Sequence, residues 1–219
     1  MNDWEYISEC IDDEIEKIFE FHPIHTLSDY ERRKIIFEHL TSKLTYDFGL
    51  LNQLIDAKIT GVPIRRNPTE ELLTVVNASI GICNGISQYY KLLLERIGIK
   101  SHCVICDDGT DINHQILLVH NSDTDTYSFD DVTAVIVGRG TNEEYFDYDV
   151  DGARRHNQGN KKVYEDRHFF ILTEEYINYV VKRPQGPTPT LEYLPENIKS
   201  IKQKTSVKWK VILWRKKYY

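Results

Sequence analysis

Residues 81–133 read GICNGISQYYKLLLERIGIKSHCVICDDGTDINHQILLVHNSDTDTYSFDDVT. Within them Ile86, Tyr90, Leu93 and Ile97 recur at three- and four-residue steps, the apolar stripe of an amphipathic helix. Counting back three from Ile86 reaches Cys83, so the thiol belongs to the first turn and shares the inward face. The unpaired N–H groups and positive dipole end of a helix N-terminus favour a thiolate there. Gly98 follows in the C′ position, where a left-handed residue ends a helix.

Downstream, Ile112–His120 and Thr126–Thr133 are apolar-rich runs around Asn-Ser-Asp-Thr, a cluster of turn formers. They predict a hairpin. A four-residue loop at 121–124 sets His120 against Asp125 and His114 against Asp131. Directly opposed residues share a face, with Cβ atoms roughly 5 Å apart. Tyr127, Phe129 and Asp131 then form one face, and Ser128 and Asp130 the other. An odd-length loop or a bulge exchanges Asp131 for Asp130.

A Cys at a helix start, with His and Asp on neighbouring strands, supplies nucleophile, base and orienting acid. The His takes the thiol proton and the acid holds the His tautomer. The pieces GICNGIS, LLLERIGI, NHQI and YSFDDVT resemble, in this order, the core of the transglutaminase-like superfamily. Its pattern is a G-x-C-x-G-x-[SA] helix start, an LL-x-x-x-GI helix end, an H-x-[WL] strand and a D-x-T strand. Ile116 stands where that family commonly has an aromatic residue. The D-x-T match favours Asp131 over Asp130 independently of the loop count.

The resemblance implies an α+β fold with a papain-like core: N-terminal helices, a central helix carrying Cys83, and an antiparallel sheet carrying His114 and Asp131. It implies acyl transfer on amide bonds through a thioester, with a peptide or protein as substrate and no cofactor. Whether water or an amine accepts the acyl group stays open. The alternative is a non-catalytic protein-binding module that keeps the same fold. The trio argues against it, since a structural role needs no such set. The backbone N–H of Cys83 is one expected oxyanion donor. Asn77, six residues upstream, is another candidate, because papain-like enzymes place a Gln side chain at that offset.

At 219 residues the chain is long enough to bury a core without staples, and one domain is expected over 1–219. Within it we distinguish a helical part (1–68), a catalytic core (69–183) and a basic extension (184–219). The net charge of −7 argues against bulk nucleic-acid binding. No apolar run approaches the length of a membrane span. The acidic opening MNDWEYISECIDDEIEK lacks a basic start followed by an apolar stretch, so no signal peptide is expected. With four cysteines and no leader expected, a reducing compartment and cytoplasmic residence are expected, the alternative being non-classical export as a secreted effector.

Along the chain, Ile7, Ile11, Ile15, Ile18 and Phe19 predict a helix over 4–21. Ser28-Asp-Tyr-Glu31 reads as a capping box opening a second, ending near Thr41. A recurrent family Tyr-Asp is matched by Tyr46-Asp47, and a short helix follows through Leu50–Ile55. GVPIRRNP (61–68) is a connector, and a helix from Thr69 to Asn77 leads into Cys83. Segments 99–106 and 168–172 read as strands, 138–162 as a polar surface excursion, and 174–181 as a late helix. From Lys199 to Tyr219 there are eight Lys or Arg and no acid, with Val207, Trp209, Val211 and Leu213 alternating. That predicts an edge strand or docked tail whose lysines guard against aggregation.

Cys103-x-x-Cys106 beside His102 invites a metal or redox reading. Offset three on a strand puts the two sulfurs on opposite faces, and no second pair completes a zinc site. No metal is expected. His102 and His120 read as strand residues.

Overall fold

Asn2 accepts from the N–H groups of Trp4 and Glu5 while Glu5 reaches back to Asn2, a capping box that opens α1 (Asp3–Phe19). Ser28 and Glu31 repeat that device for α2 (Asp29–Lys43). Two donors that a helix start leaves unpaired are satisfied reciprocally in each case. This computed structural model describes residues 1–107, 113–149 and Lys182. The strand expected at 168–172, the helix at 174–181 and the extension after 184 lie outside the described residues.

A two-residue strand β1 (Thr45–Tyr46) follows, then α3 (Phe48–Thr60), opened by the Asp47 side chain accepting from Leu50 N–H. This helix is far longer than the 50–55 expected. Asp47 starts it early, and Gly61, at φ 74°, ends it in the left-handed region. Asn67 caps α4 (Pro68–Ala78), with Pro at its first position, where a missing N–H costs nothing. A short strand β2 (Ile80–Gly81) then pairs in parallel with β1, Thr45 against Ile80 and Tyr46 against Gly81. The central helix α5 (Cys83–Arg96) begins two residues after Gly81. Gly98, at φ 83°, closes it as expected.

Three strands form one sheet in the order β3 (Ser101–Asp107), β4 (Asn113–Asn121), β5 (Thr126–Asp130). Two short helices follow, α6 (Val132–Ile136) and α7 (Asn142–Tyr145). The architecture is α+β.

The hairpin register departs from the expected one. His120 pairs with Tyr127 and Asn121 with Thr126, so the four-residue loop is 122–125, not 121–124. Asn121 stays in the strand because its side chain accepts from the N–H groups of Asp123 and Thr124. Asp125 turns the chain at φ 51°, a conformation short polar residues tolerate. The displacement is by two residues, so the faces are not exchanged, but the expected opposition of His114 and Asp131 is lost, since Asp130 already stands against Leu117 and the strand ends there. The strand also stops at Asp130 instead of Thr133. Asp131 caps α6, its Oδ1 accepting from Ala134 N–H at 2.9 Å. A β-branched Val-Thr start read as strand, but a side-chain cap outweighs that weak preference.

Two compact units make up the chain: Met1–Val104 with Gln115–Ala153, and Ile105–His114 with Arg154–Tyr219. In the first, the core joins Ile7, Ile11 and Ile18 of α1, Ile36, Phe37 and Leu40 of α2, Leu72 and Val75 of α4, and Ile86, Tyr90, Leu93 and Leu94 of α5. Leu117 and Val119 of β4 close it from the sheet side. Of the surface excursion expected over 138–162, residues 150–162 lie outside the described residues; within 138–149, Tyr145 and Phe146 are buried in this core, and Tyr148 bridges to Phe129. Of the second unit, 105–107 end β3 and 113–114 begin β4.

Candidate functional site

Cys83 is the first helical residue of α5 and only 9% exposed. Ile82, in the capping position, makes no side-chain bond to the helix. A residue without a polar side chain there leaves the first-turn N–H groups to water or to a ligand. The sulfur thus sits where partial positive charge is concentrated.

The glycines on either side explain how this turn is packed. A Cβ on Gly85 would lie 2.9 Å from the Glu71 carbonyl oxygen, and one on Gly81 would lie 2.4 Å from Cγ2 of Val75. Only glycine lets α4 lie this close to the start of α5. Glycine at 81 and 85 therefore has a packing reason as well as a motif reason.

A chain of polar side chains runs along the same turn. Arg66 donates from Nε to Glu71 Oε1 and from Nη2 to Oε2, both at 2.6 Å. Asn84 Nδ2 donates to the same Oε2 at 2.7 Å, and Gln88 Nε2 donates to Asn84 Oδ1 at 3.0 Å. From β4, Gln115 Nε2 donates to the Asn84 carbonyl at 3.3 Å, and its own carbonyl accepts from Ser87 Oγ at 3.0 Å. The Glu71 hydrogen bonds raise the Arg66 guanidinium above the usual arginine range against the cost of burial, and the charge of Glu71 adds to them. Cys83 and Tyr46 add smaller contributions. Neither Arg66 nor Glu71 is singled out by the sequence. One lies in a connector and the other near a helix start, and nothing in their spacing announces their link to Asn84.

The two aspartates after Phe129 are used differently. Asp130, 1% exposed, is bound by Arg33 Nε at 2.7 Å and Nη2 at 2.5 Å, by Tyr90 Oη at 2.7 Å and by Asp147 N–H at 2.8 Å. Asp131 is also buried. Beyond capping α6 it donates its N–H to the Tyr145 carbonyl at 2.9 Å. The helix it caps packs against α5. His114 is the second residue of β4, half-buried, and belongs to the second unit.

Asn77 is exposed on α4, its Oδ1 accepting from the Tyr6 hydroxyl at 2.6 Å. It stands two residues past Val75, roughly 200° round the helix from the face that meets Gly81. The geometry ties it to α1. Cys103 is buried in the core and His102 lies near Tyr127, their ring centroids 6.3 Å apart. Among the described residues no group of three His, Cys, Asp or Glu is placed to hold a metal ion.

No family model and no curated protein matches this chain. Among solved structures, one described as the crystal structure of a TGase is similar, at 17% identity and a TM-score of 0.49. The likeness covers 63% of this chain and 34% of that one, so the chain spans about a third of that protein's length.

Proposed function

We propose that the protein is a cysteine-nucleophile acyl-transfer enzyme acting on amide bonds of peptides or proteins, with Cys83 as nucleophile, His114 as general base and acid, and Asp131 as the orienting acid. The observation that carries this reading is that Cys83 opens an uncapped helix start on α5, packed against the α6 helix that Asp131 caps. The ordered motifs around Cys83, His114 and Asp131 support it from the sequence side.

In this mechanism His114 takes the thiol proton and the Cys83 sulfur attacks the amide carbonyl. Negative charge moves to the carbonyl oxygen, where the Cys83 N–H and the helix dipole stabilise it. Collapse breaks the C–N bond, and the imidazolium returns its proton to the departing amine. A thioester remains. Water or a primary amine, deprotonated by His114, then attacks it and the thiol is regenerated. Asp131 stabilises the imidazolium throughout.

The test is the mass of a trapped adduct. The full chain is incubated with glutamine- and asparagine-bearing peptides, quenched in acid and mapped by mass spectrometry. The expected result is an acyl adduct on Cys83 with loss of ammonia or an amine, absent in Cys83→Ser and strongly reduced in His114→Ala. Including a primary amine tells transfer from hydrolysis by the product formed. Retention of peptides without any adduct would instead identify a binding module.

A further inference from the structure

We propose that the open edge of β2 binds an extended peptide as an added strand, its main chain paired with Ile80 and Ile82 so that an amide of that peptide reaches Cys83. This deepens the proposed function and rests on its reading of Cys83 as nucleophile. One edge of β2 is taken by β1: Thr45 N–H donates to the Ser79 carbonyl at 2.9 Å and Asp47 N–H to the Gly81 carbonyl at 2.8 Å. With Thr45 set against Ile80 and Tyr46 against Gly81, a parallel ladder uses the N–H and C=O of Gly81 and turns those of Ile80 to the other side. Ile82 is still extended, at φ −99° and ψ 173°, so its N–H points the same way as that of Ile80. Its carbonyl accepts from Ile86 N–H at 3.0 Å and is already occupied. Among the described residues nothing bonds the N–H or C=O of Ile80, or the N–H of Ile82.

Ile82 is only 3% exposed, and an unpaired N–H on so buried a residue is rare in a folded protein. A Cβ on Gly81 would meet Val75 and Ile86, so the alternate residue, Ile80, faces outward, and it is 38% exposed. Residues 79–82 (SIGI) carry neither the charge nor the proline that commonly guards an open edge. The unpaired groups are therefore a short template for another main chain. In whichever direction a peptide lies along it, one residue donates its N–H to the Ile80 carbonyl. Two of the peptide's carbonyl oxygens accept from the N–H groups of Ile80 and Ile82, the pattern of strand addition. About three residues fill the edge. Ile82 immediately precedes Cys83, so the next residue or two of the peptide, at about 3.3 Å each, carry an amide to the thiol. The ligand is thus an extended peptide segment recognised through its backbone.

The experiment uses the full chain carrying Cys83→Ala, which removes the chemistry, and the glutamine- and asparagine-bearing peptides of the adduct test, labelled with fluorescein. The tightest binder by fluorescence anisotropy is remade with a single N-methyl group at each residue in turn, which deletes one N–H and crowds the edge. The proposal expects one residue, close to the reactive position, at which N-methylation weakens binding about tenfold or more. Methylation of its two neighbours, whose N–H groups point away from the edge, should change binding by less than about twofold. Amide exchange followed by NMR should slow at Ile80 and Ile82 in the complex and change little at Gly81, whose N–H already serves the ladder with β1. A flat methylation scan, protection that spares Ile80 and Ile82, or binding of none of the peptides overturns the proposal. The adduct test on the wild type separates the two ideas. If the alternating scan is found and no adduct forms, acyl transfer fails and the edge stands as a peptide-binding site. If the adduct forms and the scan is flat, the reverse holds.

Discussion

Arg33 of α2 and Asp130 of β5, 97 residues apart in sequence, form a two-pronged buried pair, their side chains 3% and 0% exposed. The guanidinium also donates to Ser128 and Asp147 and lies over the Phe146 ring at 4.8 Å. Every nitrogen of Arg33 is thereby used, and Asp130 receives four bonds. A buried charge is tolerated only with such company. The pair ties the first helical layer to the strand that leads into Asp131.

Breaking that pair should be costly, and the neighbouring aspartate should not be. Removing one partner of a buried ion pair costs about 3–5 kcal/mol, so Arg33→Ala or Asp130→Ala should consume much of a domain's stability. Asp131→Ala removes a helix cap, worth about 1 kcal/mol. Urea unfolding of the three variants measures the contrast. Under the proposed function only Asp131→Ala yields a stably folded protein that fails to form the Cys83 adduct. Equal losses for the two aspartates would contradict the division of roles.

Gly85→Ala should destabilise the fold by about 1–3 kcal/mol even though alanine is the better helix former by about 1 kcal/mol, because the added methyl meets a main-chain oxygen that cannot step aside. Gly81→Ala meets a valine methyl instead. Combining it with Val75→Ala should remove the clash and recover most of its loss, while Gly85→Ala has no comparable side-chain remedy. Thermal melts of the single and paired variants decide this. Failure of Val75→Ala to rescue Gly81→Ala would show that the glycine serves something other than packing.

Glu14 of α1 is buried between His39 and Lys43 of α2. Burial by itself would raise its pKa, but hydrogen bonds from His39 and Lys43 overcome that and hold it at about 2, against 4.5 for a free side chain. A depressed carboxylate contributes stability that is present above the unfolded value and lost as pH falls towards the folded one. Stability should therefore decline from about pH 4.5 to about pH 2, and Glu14→Gln should flatten that part of the curve. A wild-type slope unchanged by the substitution would show that other carboxylates dominate.

His102 works in the opposite chemical sense. Burial, then Lys100, Lys91 and His120, lower its pKa to about 4 from 6.5. The folded state resists protonating it, so its contribution is full above about pH 6.5 and lost as pH falls towards 4. Its Nε2 is buried without a hydrogen-bond partner. His102→Leu should then remove the loss between those values and raise the unfolding midpoint at pH 5 relative to pH 7. An equal change at both would contradict the neutral-imidazole reading.

Local signals in the chain were sufficient wherever a structural choice depends on residues within one or two turns. The capping box at Ser28, the stripe of α5 and its stop at Gly98 are such choices, because each is settled by contacts three to five residues apart. The hairpin's existence was legible from its two apolar runs, but its register was not. That depended on where one Asn side chain would turn back on the backbone and on which Asp would accept a left-handed conformation. The N-cap role of Asp131 was masked by the β-branched residues after it, although an Asp before a helix is a signal that could have been read.

Sequence by itself determined that a thiol would stand at the first turn of an amphipathic helix, on its inward face, since periodicity places Cys83 there. It also supplied His114 and two adjacent acids as possible partners. Tertiary structure decided which acid serves the fold: Arg33 arrives from α2, Tyr90 from α5 and the Asp147 N–H from beyond α6, and together they occupy Asp130. It likewise brought Arg66 and Glu71 to the turn that Cys83 opens. Charges become neighbours through the packing of whole helices, and that packing follows from summed apolar burial spread over many residues, which no short stretch of sequence encodes.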